Sequence, residues 1–472
     1  RRDYLKYTGA AIGGLVVGGA LGYLLKPAEV IEKTVTAPGV TTTTTSVPSP
    51  TIAPGAITLE FWNFGGIDSE HAFLTYLVDE FNKKNPKIQV TRTQKSWMTK
   101  REDLITAWSA GTEPHVLSQD TGSLADFAEM GVYIPLSDVF TSDWYDIIKG
   151  PYVPEVLECV KYKDKYWGIP TYFDGSPFLV YNTKMFEEAG LVDSEGKAKP
   201  PETWDELIDY AKQLNKGEER WGILFPSTSY NDMVIFSSIA YQNGGRFLDP
   251  EGKRIEIDDL GWIDTLRLYA DLRNKYKVAS PGVTDMDYMK VIELFFSNKC
   301  AMAICMSWVP AIESAIGVKP GYPYKLTRFP TPKEKTGKYE STAMLMDATT
   351  TFYITSRHKY RKEAWEWLKW IHENVKYWGP NCPTGPIMGR MPALKWQYGQ
   401  PEYEKVYPDI VKLYKEGKLF KGALPFPSFK GIVEIQEKIL LEAVQAAVLG
   451  SKTPEEALKT AQPKAQTAYE TA

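Results

Sequence analysis

The sequence has little cysteine and little histidine, the side chains that most often build metal and redox sites. Its 472 residues include 4 cysteines and 4 histidines. No two cysteines form a C-x-x-C pair and no histidines have H-x-x-x-H spacing, so neither a metal nor another cofactor is expected. Cys300 and Cys305 are five residues apart in a predicted strand, so they point to opposite faces and do not pair. One or two longer disulfides stay open, with no readable connectivity.

An excess of basic residues is also absent. The formal net charge is −4 at pH 7, from 55 Lys and Arg against 59 Asp and Glu. Nucleic-acid-binding domains usually carry a basic patch, so no nucleic-acid partner is expected. The sequence contains no G-x-x-x-x-G-K-[ST] motif. Nucleotide hydrolysis linked to this protein must therefore take place on a partner.

Aromatic residues are abundant, at 13 % of the chain with 14 Trp and 28 Tyr. Most of these rings are expected in the core and at helix seams. The remainder are candidates for a site in which flat apolar faces meet a ligand.

The amino-terminal residues resemble a twin-arginine export signal. The sequence RRDYLK at 1–6 precedes an uncharged run from Tyr7 to Leu25. As a helix this run would span about 28 Å, close to the thickness of a bilayer core. We predict that residues 1–26 form a retained membrane anchor, with a cleaved export signal as the alternative. No Cys follows the run, which leaves a lipoprotein anchor unsupported.

Residues 27–56 form a predicted linker between this segment and the folded part. They contain five consecutive threonines, Thr41 to Thr45, and four prolines from Pro38 to Pro54. Such a composition buries little apolar surface and stays extended and solvated. A tether of this kind fits a receptor that reaches above a membrane, so we expect the folded part outside the cytoplasm, at the cell surface.

From residue 57 onward, strand and helix patterns alternate. Residues 57–62 alternate in hydrophobicity like a strand, and the stripe from Phe73 to Phe81 predicts a helix that ends before Pro86. A second strand is predicted over 88–90. This order repeats along the chain and predicts an α/β fold with crossover helices. Helix starts are predicted at Thr203 and Thr453 from the capping boxes TWDE and TPEE.

Several motifs along this part carry a family resemblance. Residues 109–120 read SAGTEPHVLSQD, residues 131–136 read GVYIPL, and residues 296–304 read FSNKCAMAI. The most specific stretch combines YWGIP at 166–170, LVYN at 179–182, FEEAG at 186–190 and PPETWDEL at 200–207. The chain resembles the large sugar-type extracellular solute-binding proteins of ABC transporters, the family of the maltose-binding protein. His115 stands where the family usually has Asp, and Asn298-Lys299 stands in place of Gly-Lys.

The resemblance implies a periplasmic-binding-protein type II fold, in which two α/β lobes are joined by three hinge crossings. We expect the crossings near Ile169-Pro170, Phe329-Pro330 and Tyr377-Trp378. The amino-terminal lobe then comprises 57–170 with 330–376, and the carboxy-terminal lobe comprises 171–329 with 377–472. The ligand cleft is expected between the lobes, beside the carboxyl ends of the strands.

A sugar site needs aromatic faces for the ring and fixed donors and acceptors for the hydroxyls. Candidate contacts are therefore aromatic and polar residues in loops after strands, at positions where the family has its ligand contacts. The predicted ligand-binding residues are Trp62, Asn63, Asp68, Asp120, Tyr172, Phe173, Asp174, Tyr230, Asn231, Trp308, Asp347 and Arg390. No catalytic residue is predicted.

The resulting function hypothesis is an extracytoplasmic receptor that closes over a mono- or oligosaccharide and delivers it to a permease with a separate ATPase. Two other readings stay open. One is a secreted carbohydrate-active enzyme, which needs two carboxyl groups about 5–9.5 Å apart around the scissile bond. The other is a surface assembly or adhesion protein on the same fold, which the spacing of Gly14, Gly18 and Gly22 permits.

Overall fold

The computed structural model describes residues 55–66, 68–140, 151–379, 381–384 and 390–472. The predicted anchor at 1–26 lies outside these residues, and so does the predicted linker up to residue 54. Within the described ranges, no helix combines the length and apolar character needed to cross a membrane.

Strands in the described residues form two main sheets and one hairpin. In chain order they are β1 Ile57–Phe64, β2 Ile88–Lys95, β3 Val116–Gln119, β4 Lys161–Tyr162, β5 Lys165–Tyr166, β6 Gly168–Ser176, β7 Phe178–Asn182, β8 Trp221–Leu224, β9 Cys300–Cys305, β10 Tyr324–Arg328, β11 Met344–Ile354, β12 Met391–Pro392 and β13 Ala423–Pro425. The hairpin consists of β4 and β5.

The first sheet has seven strands in the order β12-β6-β11-β3-β1-β2, with β13 paired to β11. Its β1 is parallel to β2 and β3, whereas β11 is antiparallel to β3 and β6. The second sheet has four strands in the order β10-β7-β9-β8, of which β8 and β9 are parallel. Both sheets are therefore mixed, and the α/β prediction is confirmed.

Helices cover the sheets and connect most of the strands. They are α1 Asp68–Lys84, α2 Lys100–Ala110, α3 Leu124–Glu129, α4 Leu136–Val139, α5 Pro154–Cys159, α6 Thr183–Glu188, α7 Trp204–Leu214, α8 Tyr230–Gln242, α9 Leu260–Asn274, α10 Tyr288–Phe296, α11 Val309–Ala315, α12 Arg361–Asn374, α13 Pro401–Val406, α14 Pro408–Lys415, α15 Ile432–Glu434, α16 Leu441–Leu449 and α17 Pro454–Thr471. A π-helical segment, Ile435–Leu440, joins α15 to α16. Short 3₁₀ turns span Trp97–Thr99, Gly217–Glu219, Val283–Asp285, Val375–Tyr377 and Lys395–Gly399.

Both predicted helix starts are confirmed. The Thr203 hydroxyl accepts a hydrogen bond of 3.2 Å from the backbone N–H of Glu206, at the start of α7. At the start of α17, the Thr453 hydroxyl accepts from the Glu456 N–H while the Glu456 carboxylate accepts from the Thr453 N–H at 2.9 Å. These side chains satisfy backbone donors that the first helical turn leaves unpaired.

The chain passes between the two sheets at short connections. β6 belongs to the first sheet through Ser176, and β7 begins the second sheet at Phe178. The predicted crossing at Ile169-Pro170 therefore lies inside β6, and the strand change comes at Pro177. The chain returns from β10 to β11 between Arg328 and Met344, which includes the predicted crossing at 329–330. Both sheets belong to one compact unit of the chain, Ile52–Ala472. The residue limits predicted for the two lobes within it stay a prediction.

Apolar side chains from both strands and helices fill the core. Phe61 of β1 and Phe81 of α1 both pack against Trp367 of α12, with ring centroids 5.8 and 5.1 Å apart. The four cysteines are buried free thiols: Cys159, Cys300, Cys305 and Cys382.

A substitution at Gly222 of β8 tests how closely the second sheet packs against α7. A Cβ atom at Gly222 would lie 2.0 Å from the backbone oxygen of Ala211 in α7. We expect Gly222→Ala to lower the free energy of unfolding by about 1–3 kcal/mol, because helix and strand would have to move apart. Urea unfolding followed by circular dichroism measures this change. Gly399→Ala is the matched control, since its Cβ would meet no atom within 4 Å; equal effects of the two substitutions would contradict the packing.

Candidate functional site

A cavity of about 540 Å³ lies where the starts of several helices meet. Four aromatic residues and five charged residues are prominent in its wall, together with hydroxyl, amide and aliphatic side chains. The aromatic residues are Trp97, Tyr230, Tyr288 and Trp308, and the charged residues are Lys100, Arg101, Glu102, Asp287 and Glu437. Small-molecule sites usually measure about 300–1,000 Å³ and combine apolar walls with a few fixed polar groups.

Capping at the start of α8 holds Tyr230 and Asn231 in the cavity wall. The Asp232 carboxylate accepts hydrogen bonds from the backbone N–H groups of Thr228 and Ser229, at 2.7 and 2.9 Å. The Ser229 hydroxyl accepts in return from the backbone of Asp232, which completes a capping box. Burial raises the pKa of Asp232 to about 6, although these donors act in the opposite direction. The sequence Ser-Thr-Ser-Tyr-Asn-Asp thus fixes the first turn of this helix.

Two neighbouring rings form another part of the wall. Trp308 precedes α11 and follows the carboxyl end of β9, and Tyr288 is the first residue of α10. Their ring centroids lie 5.0 Å apart. The Asp287 carboxylate accepts from the Lys290 N–H at 2.8 Å and caps α10. Both rings are therefore held at helix starts, close to the second sheet.

Arg390 lies behind Trp308 in a buried ionic cluster. Its Nε donates to Glu70 at 2.9 Å, and its Nη1 donates to Asp174 at 2.8 Å. The guanidinium carbon lies 4.8 Å from the ring centroid of Tyr172 and 4.9 Å from that of Trp308. Paired charges and two aromatic faces thus surround this side chain.

Another part of the wall carries a second buried ion pair, between Lys100 and Asp120. The Lys100 ammonium also lies 3.6 Å from the ring centroid of Trp97. Beneath this pair, Asp347 of β11 accepts from the Thr121 hydroxyl at 2.6 Å. Burial raises the pKa of the Asp347 carboxyl, and the nearby Asp120 carboxylate raises it further.

The cations of the cavity wall have acidic partners. Arg101 forms an ion pair of 2.9 Å with Asp126, as Lys100 does with Asp120. Glu437 faces the same cavity, and burial raises the pKa of its carboxyl. This wall disfavours an anionic solute, since an anion would have to compete with the carboxylates that already pair with both cations. In the part of the chain that the structure describes, no group of His, Cys, Asp or Glu side chains could hold a metal ion.

The structure brings three of the predicted contact residues into the cavity wall: Tyr230, Asn231 and Trp308. Five more lie behind the wall in the two ionic clusters: Asp120, Tyr172, Asp174, Asp347 and Arg390. Their contact with a ligand stays a prediction.

The other four predicted residues do not line this cavity. Trp62 and Phe173 are buried in the core, and Asn63 is buried with its side-chain oxygen 2.7 Å from Nε of Arg92. Asp68 is exposed at the start of α1.

The cavity contains several residues that sequence reasoning missed. Trp97, Lys100 and Arg101 follow β2, so a search of every loop after a predicted strand would have included them. Glu437 and Val433 come from the π-helical region near the carboxyl end, more than a hundred residues from Trp308. No local sequence pattern places these two residues beside the others.

Comparisons with known proteins identify the family of this chain. Residues 67–374 match the model of the bacterial extracellular solute-binding proteins. A protein of Brucella abortus (strain 2308), named as a binding protein, is 26 % identical over 391 residues, which are 82 % of this chain and 87 % of the relative.

Two solved structures are similar to this fold. Maltose-bound T. maritima MalE3 has a TM-score of 0.71 and 22 % identity, covering 87 % of this chain and 100 % of its own. An ABC transporter solute-binding protein from Thermotoga lettingae TMO, bound with alpha-D-tagatose, has a TM-score of 0.70 and 24 % identity, covering 88 % and 100 %. The predicted family resemblance and the two-lobed α/β fold are confirmed.

Replacing Asp232 by Asn tests the buried cap of α8. An aspartate in the unfolded chain titrates near 3.8, below the folded value of about 6. The folded state therefore binds the proton more tightly, and ionisation of Asp232 reduces stability as the pH rises from about 4 to about 6. We expect Asp232→Asn, which cannot ionise, to gain about 1–3 kcal/mol relative to the parent protein between pH 4 and pH 7. Urea unfolding across this range measures the difference, and a pH-independent difference would contradict the assignment.

Proposed function

Because this chain belongs to the bacterial extracellular solute-binding protein family, we propose that it is the substrate-binding receptor of an ABC import system. The proposed ligand is a neutral mono- or oligosaccharide, and the proposed binding site is the cavity at Trp308. The solved relatives that carry maltose and tagatose support a sugar-like solute. Family membership indicates an extracytoplasmic location.

The observation that carries the proposal is the composition of the cavity wall. Trp308 and Tyr288 provide adjacent ring faces, and the C–H faces of a sugar pack well on such rings. Asn231 and Glu437 provide polar atoms for hydroxyl groups in the same wall. The Lys100 and Arg101 charges are paired within the protein, so the ligand needs no anionic group to bind beside them.

Residues near both sheets contribute to the cavity, which supports closure of the two lobes around the ligand. Lys100 follows the second strand of the first sheet, and its ammonium lies 5.3 Å from the ring centroid of Tyr230. The Tyr230 hydroxyl packs against Gly122, which follows β3. A ligand that contacts both walls stabilises the closed arrangement through its differential affinity.

A receptor of this kind works with two further components of the import system. The closed receptor presents its ligand to a membrane permease, and a separate ATPase supplies the energy. We propose that the receptor binds without changing the ligand covalently, in line with the binding-protein family. The predicted amino-terminal anchor would keep the receptor at the membrane surface.

Trp308→Ala is the direct test of the binding site. A thermal-shift panel of maltose, D-tagatose, D-mannitol and longer maltooligosaccharides first identifies a ligand, since binding to the folded state raises the apparent stability. Titration calorimetry then compares the variants. We expect Trp308→Ala to weaken binding by about 30-fold, equivalent to about 2 kcal/mol, because it removes a central aromatic face. Incubation with the same oligosaccharides checks that none is cleaved.

Leu260→Ala is the control for this measurement. Leu260 is exposed and does not line the cavity at Trp308, so its replacement is expected to leave the affinity of that cavity unchanged. Equal losses in the two variants, or no loss in Trp308→Ala, would contradict the proposed site.

Gly122→Ala tests lobe closure at a single contact. An added Cβ would lie 2.0 Å from the Tyr230 hydroxyl oxygen and 3.0 Å from Cζ of the same ring. We expect the variant to bind the identified sugar about tenfold more weakly, since an overpacked contact typically costs about 1–3 kcal/mol. Within the described residues the Tyr230 hydroxyl has no hydrogen-bond partner. The Gly122→Ala substitution should therefore have little effect on affinity when it is made in a Tyr230→Phe background, and an equal loss in both backgrounds would contradict the contact.

A further inference from the structure

A second, smaller cavity of about 250 Å³ lies away from the Trp308 cavity. Two short segments form it, one around Tyr377 and Trp378 and the other around Trp396 and Gln397. Tyr377 is 37 % exposed and Trp396 is 43 % exposed. Among the residues whose exposure the structure describes, these are the two exposed aromatic side chains, and both line this one cavity. Exposed rings that converge on one cavity indicate a binding surface.

The same cavity has two buried polar atoms that lack a hydrogen bond. Within the described part of the chain, neither Nε1 of Trp378 nor Oε1 of Gln397 has a partner. Trp378 is 4 % exposed and Gln397 is 5 % exposed, and both residues line the cavity. Nε2 of Gln397 donates to the Trp378 backbone oxygen at 2.9 Å, which fixes Oε1 as the free acceptor. An unpaired buried polar atom is unfavourable because it has lost its hydrogen bonds to water, so a group that reaches both atoms would be stabilised here.

We propose that this cavity, defined by Tyr377, Trp378, Trp396 and Gln397, is a second saccharide-binding site that holds one neutral sugar ring. A sugar hydroxyl is both a donor and an acceptor, so hydroxyl groups can satisfy the indole N–H and the amide oxygen. The exposed rings then stack on the C–H face of the sugar. Because both polar atoms are covered in this structure, binding includes a rotation of side chains in the wall.

Two observations favour a neutral sugar ring over other ligands. Lys376 is the one charged side chain among the described residues of the wall, so the cavity has no set of charges for an ionic ligand. A proline-rich peptide also docks on aromatic grooves, but proline has no N–H and would leave the Gln397 oxygen unpaired. The volume lies just below the usual range for drug-sized ligands, which suits one ring rather than a long oligosaccharide.

The two cavities are separate, so each site can be removed without the other. Trp378 packs on Tyr172 with centroids 5.2 Å apart, and Tyr172 faces Arg390, which faces Trp308. Tyr172 and Arg390 therefore lie between Trp378, in the wall of the second cavity, and Trp308, in the wall of the first. The inference therefore does not depend on the function proposed for the Trp308 cavity.

Fluorine NMR of the full chain labelled with 5-fluorotryptophan tests the second site. Maltose is the probe, and the signals of Trp396 and Trp378 are assigned from Trp396→Phe and Trp378→Phe. We expect both signals to shift with a Kd of about 1 mM, as a shallow one-ring site should give. The shifts should persist in Trp308→Ala, which removes the first site, and Tyr377→Ala should weaken binding at least about fivefold.

Three outcomes would contradict the proposed second site. No shift of the Trp396 signal with maltose, glucose or D-tagatose at about 20 mM, far above the expected Kd, would overturn the proposal. An equal shift with a hexaproline peptide would overturn the sugar assignment and favour a peptide groove. Loss of the shift in Trp308→Ala would show that the signal reports the first cavity. Trp396 is exposed, so its replacement is not expected to affect folding.

Discussion

Arg390 is the buried cation around which one wall of the larger cavity is arranged. Its partners come from different parts of the chain: Glu70 from α1, Asp174 from β6 and Trp308 from the residue before α11. Removing one member of a buried ion pair typically costs about 3–5 kcal/mol, because the remaining charge is left uncompensated. The cluster therefore connects elements of both sheets and fixes the ring that we assign to ligand stacking.

Lys100 has the corresponding role in another part of the wall. Its ammonium is paired with Asp120 and packed on Trp97, so the positive charge is compensated before any ligand binds. The ion pairs of Lys100 and Arg101 give a rigid polar wall in which both cations are compensated. A cavity built in this way discriminates by shape, aromatic stacking and hydrogen bonding. These are the interactions that recognise a neutral polyhydroxyl solute, and they connect the geometry of this chain with the family to which it belongs.

The sequence was sufficient to predict the α/β class, the two lobes and the family, because the motifs are spread in order along the whole folded part. Local chemistry also identified the helix starts at Thr203 and Thr453. The predicted position of the first crossing lies inside β6, and the limits of the two lobes stay a prediction. A proline such as Pro170 is compatible with an edge strand or with a hinge between lobes. Only the pairing of Gly168–Ser176 with β11 shows that the strand continues past this proline.

The site was harder to predict, for a physical reason. Alternation along β1 shows that Trp62 lies on one face of a strand but not whether that face meets the core or a ligand, and the structure buries the ring. His115 likewise has a structural role, since its Nδ1 accepts from the Glu60 N–H at 3.0 Å and its ring stacks on His358. Trp308, Tyr230 and Asn231 were predicted because they follow strands in loops. Glu437 was not, since tertiary packing alone brings the carboxy-terminal helices to the cavity.

The central claim is that one neutral sugar binds between the two lobes against Trp308. A crystal structure of the protein with the tightest-binding sugar of the panel tests it most directly. The expected result is sugar density on the Trp308 ring, with hydrogen bonds from residues of both walls, including Lys100 or Arg101 on one side and Asn231 on the other. Sugar bound to one lobe only, or a cavity that holds water while the sugar binds elsewhere, would contradict the account.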